Sequence, residues 1–194
     1  MLRGHTPGAM AARKRTGPVT RDELDAVALR YLDRFDTSAK NLRRVLARHL
    51  KRAAVERGAD ATRDATTLVD ELLARYQESG VLDDSRFAGA MASGLRRRGA
   101  SGRAIAQKLR MRGVDGEVAH RALQGVDADV GADAELEAAR AFVRKRRIGT
   151  FRPEAERAAN RRRDLGALAR AGFGMDVARR ALGGSGEDDG GEEF

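Results

Sequence analysis

Leu82-Asp83-Asp84-Ser85-Arg86-Phe87-Ala88 leads into Arg96-Arg97-Arg98-Gly99, then Ile105 through Leu109 to Gly113-Val114. Asp83 or Asp84 can cap a helix whose apolar face is Phe87, Met91, Gly94 and Leu95, and which runs out at the arginine triplet. A short helix follows with Ile105 and Leu109 inward, closed by Gly113. Another begins near Asp115 and buries Val118, Ala119, Ala122 and Leu123. Isolated helices this short are marginal in water, so the three must pack on one another as a minimum stable unit.

The pattern recurs. Residues 109–125 and 168–184 align without a gap at an offset of 59, with eight identities in 17 positions. Leu109, Gly113, Val118, Ala119, Arg121, Ala122, Leu123 and Gly125 match Leu168, Gly172, Val177, Ala178, Arg180, Ala181, Leu182 and Gly184. Repetition of one supersecondary unit implies a tandem array. Upstream, Thr20 and Glu23 fit a capping box, with Val19 and Leu24 as its hydrophobic staple. Leu24, Val27, Ala28, Tyr31, Leu32 and Phe35 then form one apolar face, and Leu42, Val45, Leu46, His49, Leu50 and Ala53 a second. A third helix, from Ala65 to Tyr76, follows a Gly/Asp/Thr loop at 58–64. It ends at Gly80, where Val81 is expected to touch Tyr76. In the third unit Ala158, Leu165, Leu168 and Ala169 share a stripe flanked by Arg161 and Arg162, while Arg163 points away. The expected organisation is all-α, three tandem three-helix repeats in an elongated, curved array: 20–82, 83–126 and 127–183. A disordered basic arm (1–19) and a disordered acidic tail (184–194) bracket them.

The chain has 194 residues, 38 Lys+Arg against 29 Asp+Glu, net charge +9, and no Cys or Trp. Trimming both ends to 22–182 leaves the same net charge, so the basicity belongs to the folded part. The absence of Cys excludes disulfides, thiolate metal sites and cysteine nucleophiles, and fits a reducing compartment. No apolar run reaches spanning length, and the basic start lacks a signal-peptide core; a soluble cytoplasmic protein is expected. His5, His49 and His120 lie on separate segments without metal-ligand spacing, and His49 reads as a packed side chain. Gly94 to Gly99 mimics a phosphate loop, but Ala100 stands where its lysine belongs. The expectation is no enzyme and no cofactor.

The middle segment, with Ala28-Leu29-Arg30-Tyr31-Leu32, Leu42-Arg43-Arg44-Val45-Leu46 and the closing Leu165 to Leu182, resembles the RecX family over about 24–183. The resemblance implies a non-catalytic helical protein that binds the RecA recombinase along its filament on DNA. Its expected effect is to restrain filament growth, ATP hydrolysis, strand exchange and co-protease activity. Separately from the resemblance, the protein is expected to be a monomer. The first repeat departs from the pattern: residues 51–64 stand where a short turn is expected.

The candidate contacts for nucleic acid or recombinase are basic: Arg43, Arg44, Arg96, Arg97, Arg98, Arg103, Arg144, Lys145, Arg146, Arg147 and Arg163. Helical arithmetic makes Arg96 and Arg97 the exposed pair of their triplet. Arginine clusters of this kind contact phosphates, which position a protein without reading sequence. Weak, salt-sensitive, sequence-independent binding to single- and double-stranded DNA is expected. The alternative is a sequence-specific transcription regulator, in which Leu109 to Asp115 forms a helix-turn-helix leading to a recognition helix from Gly116 to Gln124.

Overall fold

A computed structural model describes residues 17–183. The tail expected at 184–194 lies outside them, as does the expected arm except for its last three residues. The described residues form nine α-helices with no strand among them: α1 (Arg21–Leu32), α2 (Ala39–Arg57), α3 (Ala65–Glu78), α4 (Asp84–Arg97), α5 (Gly102–Met111), α6 (Gly116–Val130), α7 (Ala134–Arg146), α8 (Glu154–Arg170) and α9 (Met175–Ala181). Short 3-10 turns lie at Ala59–Thr62 and Gly149–Phe151. No helix among the described residues is long and apolar enough to cross a membrane.

The buried apolar residues fall into three clusters. Leu24, Leu42, Leu46, Val69, Leu72 and Leu73 centre the first, between α1, α2 and α3. Ala88, Ala92, Ile105, Leu109 and Ala119 centre the second, between α4, α5 and α6. Ala139, Val143, Leu168, Phe173 and Ala178 centre the third, between α7, α8 and α9.

Local chemistry sets the helix ends. The Thr20, Ser38, Asp83, Ser101 and Asp115 side chains accept from backbone N–H groups in the first turns of α1, α2, α4, α5 and α6. Four helices stop by the same Schellman pattern. At α5, Gly113 donates to the Arg110 carbonyl and Val114 to Leu109; at α8, Gly172 donates to Ala169 and Phe173 to Leu168. Gly99-Ala100 and Arg147-Ile148 close α4 and α7 likewise. Arg147 is the non-glycine residue with positive φ among those described, at 52°.

Several expectations are corrected. Helix α1 ends at Leu32, so Phe35 leaves the apolar face and is 54% exposed, leaning on Tyr31. The additional residues at 51–64 are not a loop alone: α2 continues to Arg57, and a 3-10 turn follows. Past Gly80 it is Leu82, not Val81, whose N–H reaches the Tyr76 carbonyl, so Val81 stays exposed and Leu82 is buried. Helix α6 runs to Val130, beyond the boundary expected at 126, because Gly131 supplies the positive φ that ends it. In α8, Ala158 and Ala169 are exposed, and the buried pair is Leu168 and Asp164.

The Glu23 carboxylate, expected only to complete a cap, is 5% exposed. It accepts two hydrogen bonds from Arg57 (2.7 and 3.0 Å) and contacts His49 Nε2 at 2.9 Å, tying α1 to α2.

Candidate polyanion interface

The second helix of each group meets the next end to end. Ser38, at the start of α2, donates its hydroxyl to the Arg112 carbonyl just past α5 (2.6 Å), while its oxygen accepts from Asn41 N. Ser101, at the start of α5, does the same to the Ala171 carbonyl just past α8 (2.7 Å), accepting from Ala104 N. Both serines are 0% exposed. The first amide of each helix is also taken by a carboxylate from the following group: Ala39 N donates to Asp84 (2.8 Å), and Gly102 N to Glu135 (3.1 Å).

Glycine is required at both contacts. A Cβ on Gly113 would lie 3.1 Å from Ser38 Oγ, and one on Gly172 only 2.6 Å from Ser101 Oγ. Both glycines also hold positive φ. So α8, α5 and α2 stack head to tail in one column, each C-terminal carbonyl meeting the next N-terminus.

That column carries the charge. Helices α2, α5 and α8 hold fifteen Lys and Arg against four Asp and Glu. The six flanking helices hold thirteen of each. On α2, Lys40, Arg44 and Lys51 lie opposite the buried Leu42 and Leu46; on α5, Arg103 and Arg110 lie opposite Ile105; on α8, Arg163 and Arg170 lie opposite Leu168. All seven are exposed. The stacked helices therefore carry a net positive charge along the column.

The expected contact residues divide unequally. Arg103, Arg144, Lys145, Arg146, Arg147 and Arg163 are exposed. Arg43 is exposed but paired with Asp70, and Arg44 donates to the Met111 carbonyl across the α2–α5 junction. Arg97 and Arg98 are exposed, with Arg97 donating to Ser93 Oγ.

Arg96 overturns its expectation. It is 5% exposed, donating to Asp127 (2.6, 2.7 and 2.9 Å), Glu135 (2.5 Å) and the Ala100 carbonyl. The reason is register. The face of α4 that is fully buried is Ala88 and Ala92, one position from the predicted Phe87 and Met91, and Arg96 continues it at the next turn. Arg96 is a structural clamp between α4, α6 and α7. Lys40, Arg110 and Arg170 were not singled out in the sequence because each stands outside a run of bases. Counting charge helix by helix would have found them.

The sequence of α4 to α6 coincides with a family model: RecX, second three-helix domain, matches residues 83–123. A curated protein, "Regulatory protein RecX" of Myxococcus xanthus (strain DK1622), is 38% identical over 170 residues, covering 87% of this chain and 89% of the relative. The chain belongs to the RecX family. It is therefore a RecX-type regulatory protein whose regular structure is all helical among the described residues. No solved structure matches it.

Proposed function

We infer that this RecX-family protein binds the RecA recombinase filament on DNA and restrains its growth, ATP hydrolysis, strand exchange and co-protease activity. The observation that carries the reading is charge segregation: the excess of cations lies on the α2–α5–α8 column, while the flanking helices balance. Three modules, each around one buried cluster, form a curved row that spans adjacent protomers and the DNA they coat. Repetition then supplies many modest contacts, and their linkage raises effective concentration, so occupancy needs no single deep pocket. DNA contacts through this column are weak, salt-dependent and indifferent to sequence, since they reach phosphates. The protein acts in the cytoplasm as a monomer and catalyses nothing itself.

A sequence-specific regulator fits less well. The recognition helix of that reading, Gly116 to Gln124 within α6, offers few side chains suited to base edges: Glu117, His120, Arg121 and Gln124. Purified protein added to RecA on single-stranded DNA tests the reading. The expected result is a dose-dependent fall in ATP hydrolysis and in filament length. Unchanged values at saturating protein overturn it.

A further inference from the structure

The third group departs from the second at four related places, all around one cleft. At the offset that superposes the repeats in sequence, Ile105 becomes Asp164, Ala104 becomes Arg163 and Met111 becomes Arg170. Aligning the helix ends at Gly99 and Arg147 likewise puts Phe142 in place of Gly94. The residues at these places line a cleft of ≈ 500 Å³ between α7 and α8, with Phe142, Ile148, Ala167 and Ala171 among its walls.

Its charge is one-sided. Arg146, Arg152, Arg163 and Arg170 line it, and Asp164 is the sole acid that does. That acid is spent. Asp164 is 2% exposed, accepts two bonds of 2.9 Å from Arg152 and one from Gly149 N, and Arg152 holds its carboxyl below the usual range. Arg146 is braced over the Phe142 ring, 5.5 Å from its centroid. Arg163 and Arg170 sit two turns apart on one face of α8, about 10 Å along its axis. Neither has an ion-pair partner among the described residues.

The geometry points to a phosphate-binding site: the cleft between α7 and α8 takes a phosphate ester, held by Arg163 and Arg170 from one side and Arg146 from the other. Arginine suits that role because its planar fork bonds two phosphate oxygens at once. The apolar walls strengthen the attraction by excluding water from part of the site. A backbone phosphate of DNA and the phosphates of a free nucleotide share this chemistry. The site deepens the polyanion reading and does not depend on the recombinase.

Full-length protein titrated with inorganic pyrophosphate at low salt, by calorimetry, tests it. The expected result is saturable binding at one site, at least tenfold weaker in Arg163→Ala/Arg170→Ala and unchanged in Arg30→Ala/Arg86→Ala, which removes equal charge from exposed positions on the flanking helices α1 and α4. No saturable binding overturns the site, and so does equal weakening in both variants, which would show unspecific attraction. Competition then identifies the source: displacement by a short oligothymidylate assigns DNA backbone, and displacement by ATP alone assigns a free nucleotide. Pyrophosphate binding in a protein without effect on RecA would uphold the site while removing the proposed function.

Discussion

The arginine runs that end α4 and α7 are alike as sequence and opposite as structure. In Arg96-Arg97-Arg98 the first guanidinium is buried between Asp127 and Glu135; in Arg144-Lys145-Arg146-Arg147 every side chain is exposed. The difference is partly register, since Arg96 continues the Ala88–Ala92 face. It is also position in the array. Glu135, one of the two acids on Arg96, comes from the group that follows, whereas no further group packs on the third among the described residues. A cation that closes a junction inside the row is left open at its end.

The largest expected effect breaks this comparison most directly. Arg96→Ala strands two half-exposed carboxylates and should destabilise by about 3 kcal/mol, the low end for a broken buried pair because Asp127 and Glu135 keep some solvent. Arg144→Ala should stay within about 0.5 kcal/mol, as ordinary exposed positions do. Urea melts at neutral pH measure both, and equal values would erase the distinction.

Next comes the junction itself. Gly172→Ala meets both an unfavourable φ and Ser101 Oγ, and Gly80→Ala, just past α3, meets an unfavourable φ with nothing within 4 Å. The left-handed penalty alone is about 1–2 kcal/mol. Gly172→Ala should therefore cost clearly more than Gly80→Ala in the same melts, and parity would mean the column joint is not a tight contact.

Arg147→Gly should raise stability by about 1 kcal/mol, because it relieves a side chain held at φ 52°. The same change should slightly weaken binding to single-stranded DNA, a trade read by pairing a melt with a binding titration. A stability gain with tighter binding would contradict a role for that charge.

A last effect is confined to acid. Arg152 lowers the Asp164 carboxyl, so its ion pair contributes fully above the unfolded value, about 3.9, and is lost as pH falls through the depressed folded value. Asp164→Asn should flatten that acid limb of stability, measured by melts across pH 2 to 6. An unaltered slope would show that the pair does not tie the third group together.

The helical fold was legible in sequence because its signals are local. Thr20 before Glu23, Asp83 before Arg86, and Gly113 and Gly172 before an apolar residue each state where a helix starts or stops. The repeat at offset 59 then supplied the order of the array. What could not be read was the partner of each guanidinium. Arg96 needed a one-residue correction of the α4 face and two acids 31 and 39 positions away. The head-to-tail column was equally hidden, because Ser38 with Arg112 and Ser101 with Ala171 are pairs 74 and 70 residues apart. Once those joints are known, isolated bases such as Lys40 and Arg110 fall into line with Arg163, which a search for runs of charge passes over.

The salt dependence of binding to a single-stranded oligonucleotide tests most directly whether the stacked helices form the anion-facing side. Lys40→Ala/Arg103→Ala/Arg110→Ala and Arg30→Ala/Arg86→Ala/Arg121→Ala remove the same charge from exposed positions, on the column and on the flanking helices. The column variant should lower the slope of log K against log salt by about 2, approaching one for each phosphate no longer neutralised. The flanking variant should keep the slope of the unaltered protein. Equal slopes in the two variants would contradict the account.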